Sequence, residues 1–325
     1  MEERLYKLLS FEVITPIFSY GADNKRNSVP EIRPASIKGM MRYMFRIAQP
    51  TFESKKLLEL ENEIFGDPES KASPIRLAVI SKPKVDSRPR QFLLHKDDKG
   101  EKISIPTGEQ FSMRISLRPK HLHDYEKLKK LNNACHNELS WYENLIEVAF
   151  LLIGLGQRSR KGRGRARKVK LTPVNQFKGD ITTMLNKITI GMDAYKLNGQ
   201  IIEPVPTLKK RMRRPIIEKV EFGELIERDW EDFLKNVDDA SSQMQRKLKK
   251  KKFATGTSGS SRFASAIFVG VAEVEEGLLP IYTFVTPVSG NKSEDYVDEK
   301  KERDMLVYWI EENEKRIKKE GGDSS

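Results

Sequence analysis

Glu143–Lys170 reads ENLIEVAFLLIGLGQRSRKGRGRARKVK. Its first part, Glu143–Gly154, is a strongly apolar helix whose end is marked by Gly154 and Gly156. Its second part carries glycines at 154, 156, 162 and 164, and from Arg158 to Lys170 it has eight basic residues and no acidic one. A segment Lys168–Val174 reads as a strand just beyond. Helix, glycine–arginine loop and strand in this order make a closing unit, so the fold depends on what precedes them.

Upstream, Tyr6–Phe18 is rich in β-branched and aromatic residues and reads as a strand. A loop follows over Ser19–Pro34. A helix then starts near Ser36, with Ser36 as its N-cap, and Ile37, Met40, Met41, Met44 and Phe45 form one apolar stripe. A second helix is expected over Ser54–Phe65, and strands over Pro74–Lys82 and Gln110–Arg118. Strand, helix, strand, strand, helix, strand is the ferredoxin-like or RRM-like pattern.

The second half shows the same order: a strand at Arg214–Phe222, a helix at Leu225–Asn236, and strands at Ser265–Glu273 and Leu279–Pro287 joined as a hairpin. A long amphipathic helix over Asp298–Lys319 closes it, with Met305, Trp309 and Ile310 inward. No final strand is legible. The expected fold is α+β, two ferredoxin-like (RRM-like) domains in tandem, residues 1–175 and 176–325, with the chain crossing over between Thr172 and Pro206. Gly256–Ser261 and Gly321–Ser325 read as flexible.

The charge pattern narrows the partner. The chain has 325 residues and 59 Lys+Arg against 47 Asp+Glu, a net charge of +12. That balance suits nucleic acid or another polyanion. A core cannot take eight like charges unpaired, whereas a glycine-rich loop of amides and guanidinium groups accepts phosphates. The loop lacks the Walker A spacing and follows a helix rather than a strand, so neither a nucleotide P-loop nor a dinucleotide fingerprint fits.

The Ser36 helix supplies a second anion-binding feature. Free amides and the positive dipole end lie in its first turn, Gly39 leaves room for a close backbone, and Lys38, Arg42 and Arg46 follow along one face. Lys209–Arg214 and Arg246–Lys252 are further basic runs, and Arg262 with Phe263 offers a guanidinium and a ring. The expected RNA contacts are Arg33, Ser36, Lys38, Gly39, Arg42 and Arg46; Arg158, Arg160, Lys161, Gly162, Arg163, Gly164, Arg165 and Arg167; and Arg211, Arg213, Arg214 and Arg262.

Other chemistry finds less support. His121, His123, Cys135 and His136 are zinc-type residues at a spacing that fits no common site, so no metal or cofactor is expected. No histidine sits in either basic segment, Asp23 is an isolated carboxylate in a turn, and no carboxylate cluster suits two-metal chemistry. The single cysteine excludes an intrachain disulfide and suits a reducing cytoplasm. No stretch is long and apolar enough for a membrane helix.

FEVITPIFSYGADN, EIRPASIKGMMRYMFR and ENEIFGD together resemble the RAMP superfamily of CRISPR proteins, and within it subunit one of the type III-B (Cmr) effector complex. Its Ser-x-Lys-Gly-x-x-Arg helix start is matched by Ser36, Lys38, Gly39 and Arg42, and its glycine-rich loop by Gly154–Arg165. Arg262–Val271 resembles part of the same subunit's C-terminal domain. The resemblance implies two ferredoxin-like domains and a non-catalytic, RNA-binding subunit. Its partners would be guide RNA, single-stranded target RNA and the other Cmr subunits, and its place near the 3′ end of the guide. The alternatives are a metal-independent guide-processing endoribonuclease, and an assembly subunit that binds an acidic partner.

Overall fold

The computed structural model describes residues 6–22, 28–67, 69, 72–85, 90–92, 94, 100–118, 138–168, 170–191, 193–205, 214–227, 229–247, 264–286 and 293–322. The first unit is built on β1 (Tyr6–Val13), a central strand. It is followed by α1 (Pro34–Ile47), α2 (Ser54–Phe65), β2 (Ile75–Ser81), a small hairpin of β3 (Arg90–Gln91) and β4 (Glu101–Lys102), β5 (Gln110–Leu117), α3 (Glu138–Leu152) and β6 (Ala166–Lys168). The sheet order is β2-β5-β1-β6, and the ladders β1–β5, β1–β6 and β2–β5 are antiparallel. This is the ferredoxin-like arrangement the sequence pattern predicts.

Alternation along β1 buries Leu9, Phe11 and Val13 beneath the helices. Phe11 stacks on Phe111 of β5 at 5.5 Å and meets Phe150 of α3 at 5.1 Å. All five stripe residues of α1 are buried. Each such side chain contributes about 1.5–3 kcal/mol on leaving water.

Boundaries differ where proline and the loop intervene. β1 ends at Val13 rather than Phe18: Ile14 and Thr15 amides turn to Arg165 O, and Pro16 has no amide to extend the ladder. Ser36 is not the cap of α1. The helix begins at Pro34, with Arg33 at the N-cap position and no side-chain cap, because proline's fixed φ suits the first helical position. The closing strand β6 starts at Ala166, inside the basic run.

The second unit contains α4 (Val174–Ile188), the hairpin β7 (Tyr195–Asn198) and β8 (Ile201–Pro204), then β9 (Ile217–Phe222), α5 (Trp230–Lys247), β10 (Ile267–Val274), β11 (Gly277–Val285) and α6 (Ser293–Gly322). Its sheet order is β10-β11-β9-β8-β7. The missing last strand of the repeat is accounted for: β8 pairs antiparallel with β9 in the place a fourth ferredoxin strand would take. On α6, Leu306 and Ile310 are fully buried, while Met305 turns outward.

The chain passes between the sheets through α4, which packs on α3 and β7. Buried Gln49, just past α1, fixes this passage by donating to Ile188 O and accepting from Ile190 N. No helix among the described residues is long and apolar enough to cross a membrane.

Candidate nucleic-acid interface

The glycine–arginine loop is folded tightly between the two units. Leu155 N donates to Gly164 O at 2.9 Å, Gln157 N to Phe18 O at 2.8 Å and Gly164 N to Pro16 O at 3.0 Å. Thr15 Oγ1 donates to Gly162 O and accepts from Arg165 N. Lys161 pairs in parallel with Val269 on the edge strand β10, so the loop covers that edge.

Gly154, Gly156, Gly162 and Gly164 all have positive φ. A Cβ on Gly156 would lie 2.6 Å from Phe18 O, and one on Gly162 would strike Leu234 of α5. Gly162 and Gly164 are buried, so their missing side chains admit the protein's own backbone and core rather than a phosphate.

The basic side chains divide sharply. Arg163 is 1% exposed and forms a bidentate pair with Asp238 of α5 at 3.0 and 2.6 Å. Arg158 meets the same carboxylate at 2.9 Å, and Leu94 N donates to it. Burial opposes the charge on Asp238, but the two guanidinium groups outweigh it and hold the carboxyl below its ordinary value. Lys161 donates to Ser241; burial and neighbouring Arg158 push its pKa down to about 7. Arg167 bonds Glu273 of β10 and lies 3.3 Å from Glu12. These residues join the two units, and Arg163 and Arg167, both expected RNA contacts, are paired inward with Asp238 and Glu273.

On α1, Arg42 and Arg46 turn sideways to Glu61 of α2, Arg42 at 2.8 Å. Glu61 is 1% exposed. Its burial is overcome by the hydrogen bonds and charges of Arg46 and Arg42, and its pKa is lowered. Arg214 bonds Phe52 O, Arg46 O and Gln49 O, saturating carbonyls at the end of α1. Arg33 pairs with Glu31. Arg211, Arg213, Arg262 and Phe263 lie outside the described residues, as do Asp23, the four histidines and Cys135. Among the described residues, no group of three or more His, Cys, Asp or Glu is placed to hold a metal ion.

Of the expected contacts, Ser36 and Arg160 line one cavity of ≈ 420 Å³. It is bounded by Phe18–Gly21 after β1, by Ser36, Met40 and Tyr43 of α1, by the glycine-rich loop and by Phe268 of β10. Arg160 lies across it, 4.0 Å from the Phe268 ring centroid, donating to Tyr43 Oη and Ser265 O. Lys38 is half-buried beside Ser73, its pKa lowered by burial and by Arg118 and Arg42. Gly39 is exposed with open space beyond it.

Arg165 stands directly behind the lining. It is fully buried, with Nη2 donating to Ser159 O and Val269 O, and a Cβ on Gly154 would lie 3.0 Å from its Nη1. Its Nε and Nη1 have no hydrogen-bond partner. Burial alone pulls its pKa down to about 9. No carboxylate lies within ion-pair distance of it among the described residues.

Residues 10–167 match the model of the RAMP superfamily. The match lies within the first unit and covers just under half of the chain. Two solved structures share its fold along nearly the whole chain. Cmr1 from Pyrococcus furiosus, in its apo form, is 16% identical at a TM-score of 0.51, covering 92% of this chain and 96% of that one. A chain of the type III-B Cmr-beta complex bound to cognate target RNA is 12% identical at a TM-score of 0.54, covering 95% of this chain and 100% of that one. At these identities the likeness is one of fold. No curated protein sequence matches. At the helix start Ser36 borders the cavity while Lys38 turns to Ser73, and the loop motif mostly joins the two units.

Proposed function

We propose that this chain is a non-catalytic RNA-binding subunit of a CRISPR type III-B (Cmr) effector complex. Its interdomain cavity would hold the backbone of single-stranded guide or target RNA near the 3′ end of the guide, with other Cmr subunits as neighbours. The observation that carries this reading is Arg165: a buried cation lacking a counter-ion, placed just behind a solvent-open cavity. An isolated buried charge is costly, and an anion in the cavity offsets that cost. The uncapped start of α1 adds free amides and a positive dipole end at Ser36. The fold shared with Cmr1 and with the target-bound Cmr-beta chain supports the same assignment.

The described lining supports holding rather than cutting. Its described residues include neither carboxylate nor imidazole, the usual groups for moving a proton at neutral pH. Tyr20 donates to Ile103 O, and burial pushes its pKa up to about 12, so it stays neutral.

Fluorescence anisotropy with labelled single-stranded RNA across a salt series tests the reading. Lys38→Ala is expected to weaken binding to all sequences alike and to reduce the salt slope by about 0.7. Arg165→Met breaks no ion pair but leaves the Ser159 and Val269 carbonyls without their donor, so it should lower the melting temperature modestly while also weakening RNA binding. Wild-type affinity in both variants would remove the proposed groove.

A further inference from the structure

A second cavity, ≈ 240 Å³, opens on the other side of Phe18. Phe18 lines both cavities, so it is a shared wall. The walls are Phe18, Leu94, Leu234 and the indole of Trp230, the first residue of α5, with Arg90 and Glu231 at the mouth. Those two charged groups lie 3.7 Å apart and are 41% and 52% exposed, a loose surface pair. Its volume falls below the roughly 300–1,000 Å³ of drug-sized sites, and suits one planar ring system.

The electrostatics disfavour a phosphate there. The free amides at the start of α5 are taken: Glu231 N and Asp232 N both donate to Asp229 Oδ1, at 2.8 and 3.0 Å. Arg163, which also borders the cavity, is saturated by Asp238. Glu231 adds negative charge at the mouth. What is offered is two aromatic rings, aliphatic walls, and one donor beside one acceptor. A neutral heteroaromatic ring with polar edges fits that set; unpaired bases are held in this way, by stacking and by hydrogen bonds to their edges.

We propose that this cavity receives a nucleobase turned out of a single strand whose backbone crosses the neighbouring groove. The base stacks on Trp230, with Arg90 and Glu231 meeting its polar edge. The proposal rests on the RNA-binding reading above and adds a separate subsite to it.

The test uses the full chain and a single-stranded RNA carrying 2-aminopurine at successive positions. At one position the probe's emission is expected to fall sharply on binding. Trp230→Ala should abolish that quenching and weaken binding about 10-fold, within the range for one lost stacking contact, with the salt slope unchanged. Trp230→Phe should restore most of the affinity, and Glu231→Gln, at an exposed site, should change the preference among oligo(A), oligo(C) and oligo(U) without moving the melting temperature. Trp230→Ala binding within twofold of wild type overturns the subsite and leaves the groove standing. So does equal weakening in Trp230→Ala and Trp230→Phe with a lowered melting temperature, or a Trp230→Ala that keeps RNA but loses a protein partner. If wild type binds no RNA, the groove itself fails, and the subsite with it.

Discussion

Asp238→Ala is expected to cost about 3–5 kcal/mol of stability and to lower the melting temperature by on the order of 10 °C. The carboxylate is 1% exposed and holds Arg163 bidentately, Arg158 singly and Leu94 N. Removing it leaves Arg163 charged in a dry interface, which costs far more than the intact pair contributes. The double variant Asp238→Leu, Arg163→Met removes both charges and should recover much of the loss, Arg158 being free to swing toward solvent. Thermal unfolding followed by circular dichroism measures all three. An Asp238→Ala melting point within 2 °C of wild type would show that the pair does not join the domains.

Acid should reproduce this effect. The folded pKa of Asp238 is lowered despite its burial, by Arg163 and Arg158, below an unfolded value of about 3.9. Its contribution is therefore complete above about pH 4 and is lost as pH falls through the folded pKa. Lys161 acts at the other end. Its folded pKa of about 7 lies below an unfolded value of about 10.4. The unfolded chain binds the extra proton in between, so this residue adds stability as pH rises from about 7 to about 10.

The N-terminal fold was legible because its signals are local. The stripe Ile37–Phe45, the run Ser54–Phe65 and the alternation in Gln110–Leu117 each identify an element without reference to the rest. The passage between the sheets was missed although Ile181, Met184, Leu185 and Ile188 of α4 carry helical spacing, because a domain boundary was expected there. The filling of the second sheet by β8 was not legible, since which strand occupies an edge is a long-range pairing choice.

The site was legible in its ingredients but not in its partners. A run of like charge reads as a ligand site only if no carboxylate meets it, and Asp238 lies 75 positions beyond Arg163. One signal was present. Asp238 stands four residues after Leu234 and three before Ser241, on the buried side of α5. Glu61 stands likewise four after Leu57 and four before Phe65. A carboxylate inside an apolar stripe marks a buried ion pair. Read that way, Glu61 and Asp238 predict that some arginines of α1 and the loop are structural. Arg165 escapes the rule, and that exception points to the cavity.

Gly164→Ala and Gly39→Ala should have opposite effects. Gly164 has φ +79°, and a Cβ there would run into the Leu155 carbonyl, while both its N and O are bound, to Pro16 O and Leu155 N. Left-handed backbone alone costs alanine about 1–2 kcal/mol. The collision with a fixed carbonyl adds to this, so about 3 kcal/mol or more is expected, with the loop loosened from both units. Gly39 lies inside α1 at a point where a Cβ meets nothing within 4 Å. Alanine there should stabilise the helix by about 1 kcal/mol. It would also stand on the surface that the proposed RNA backbone approaches. Gly39→Ala is thus expected to raise the melting temperature while weakening RNA binding, and Gly164→Ala to lower the melting temperature first. A Gly39→Ala variant that gains stability and keeps full RNA affinity would move the strand off the face of α1.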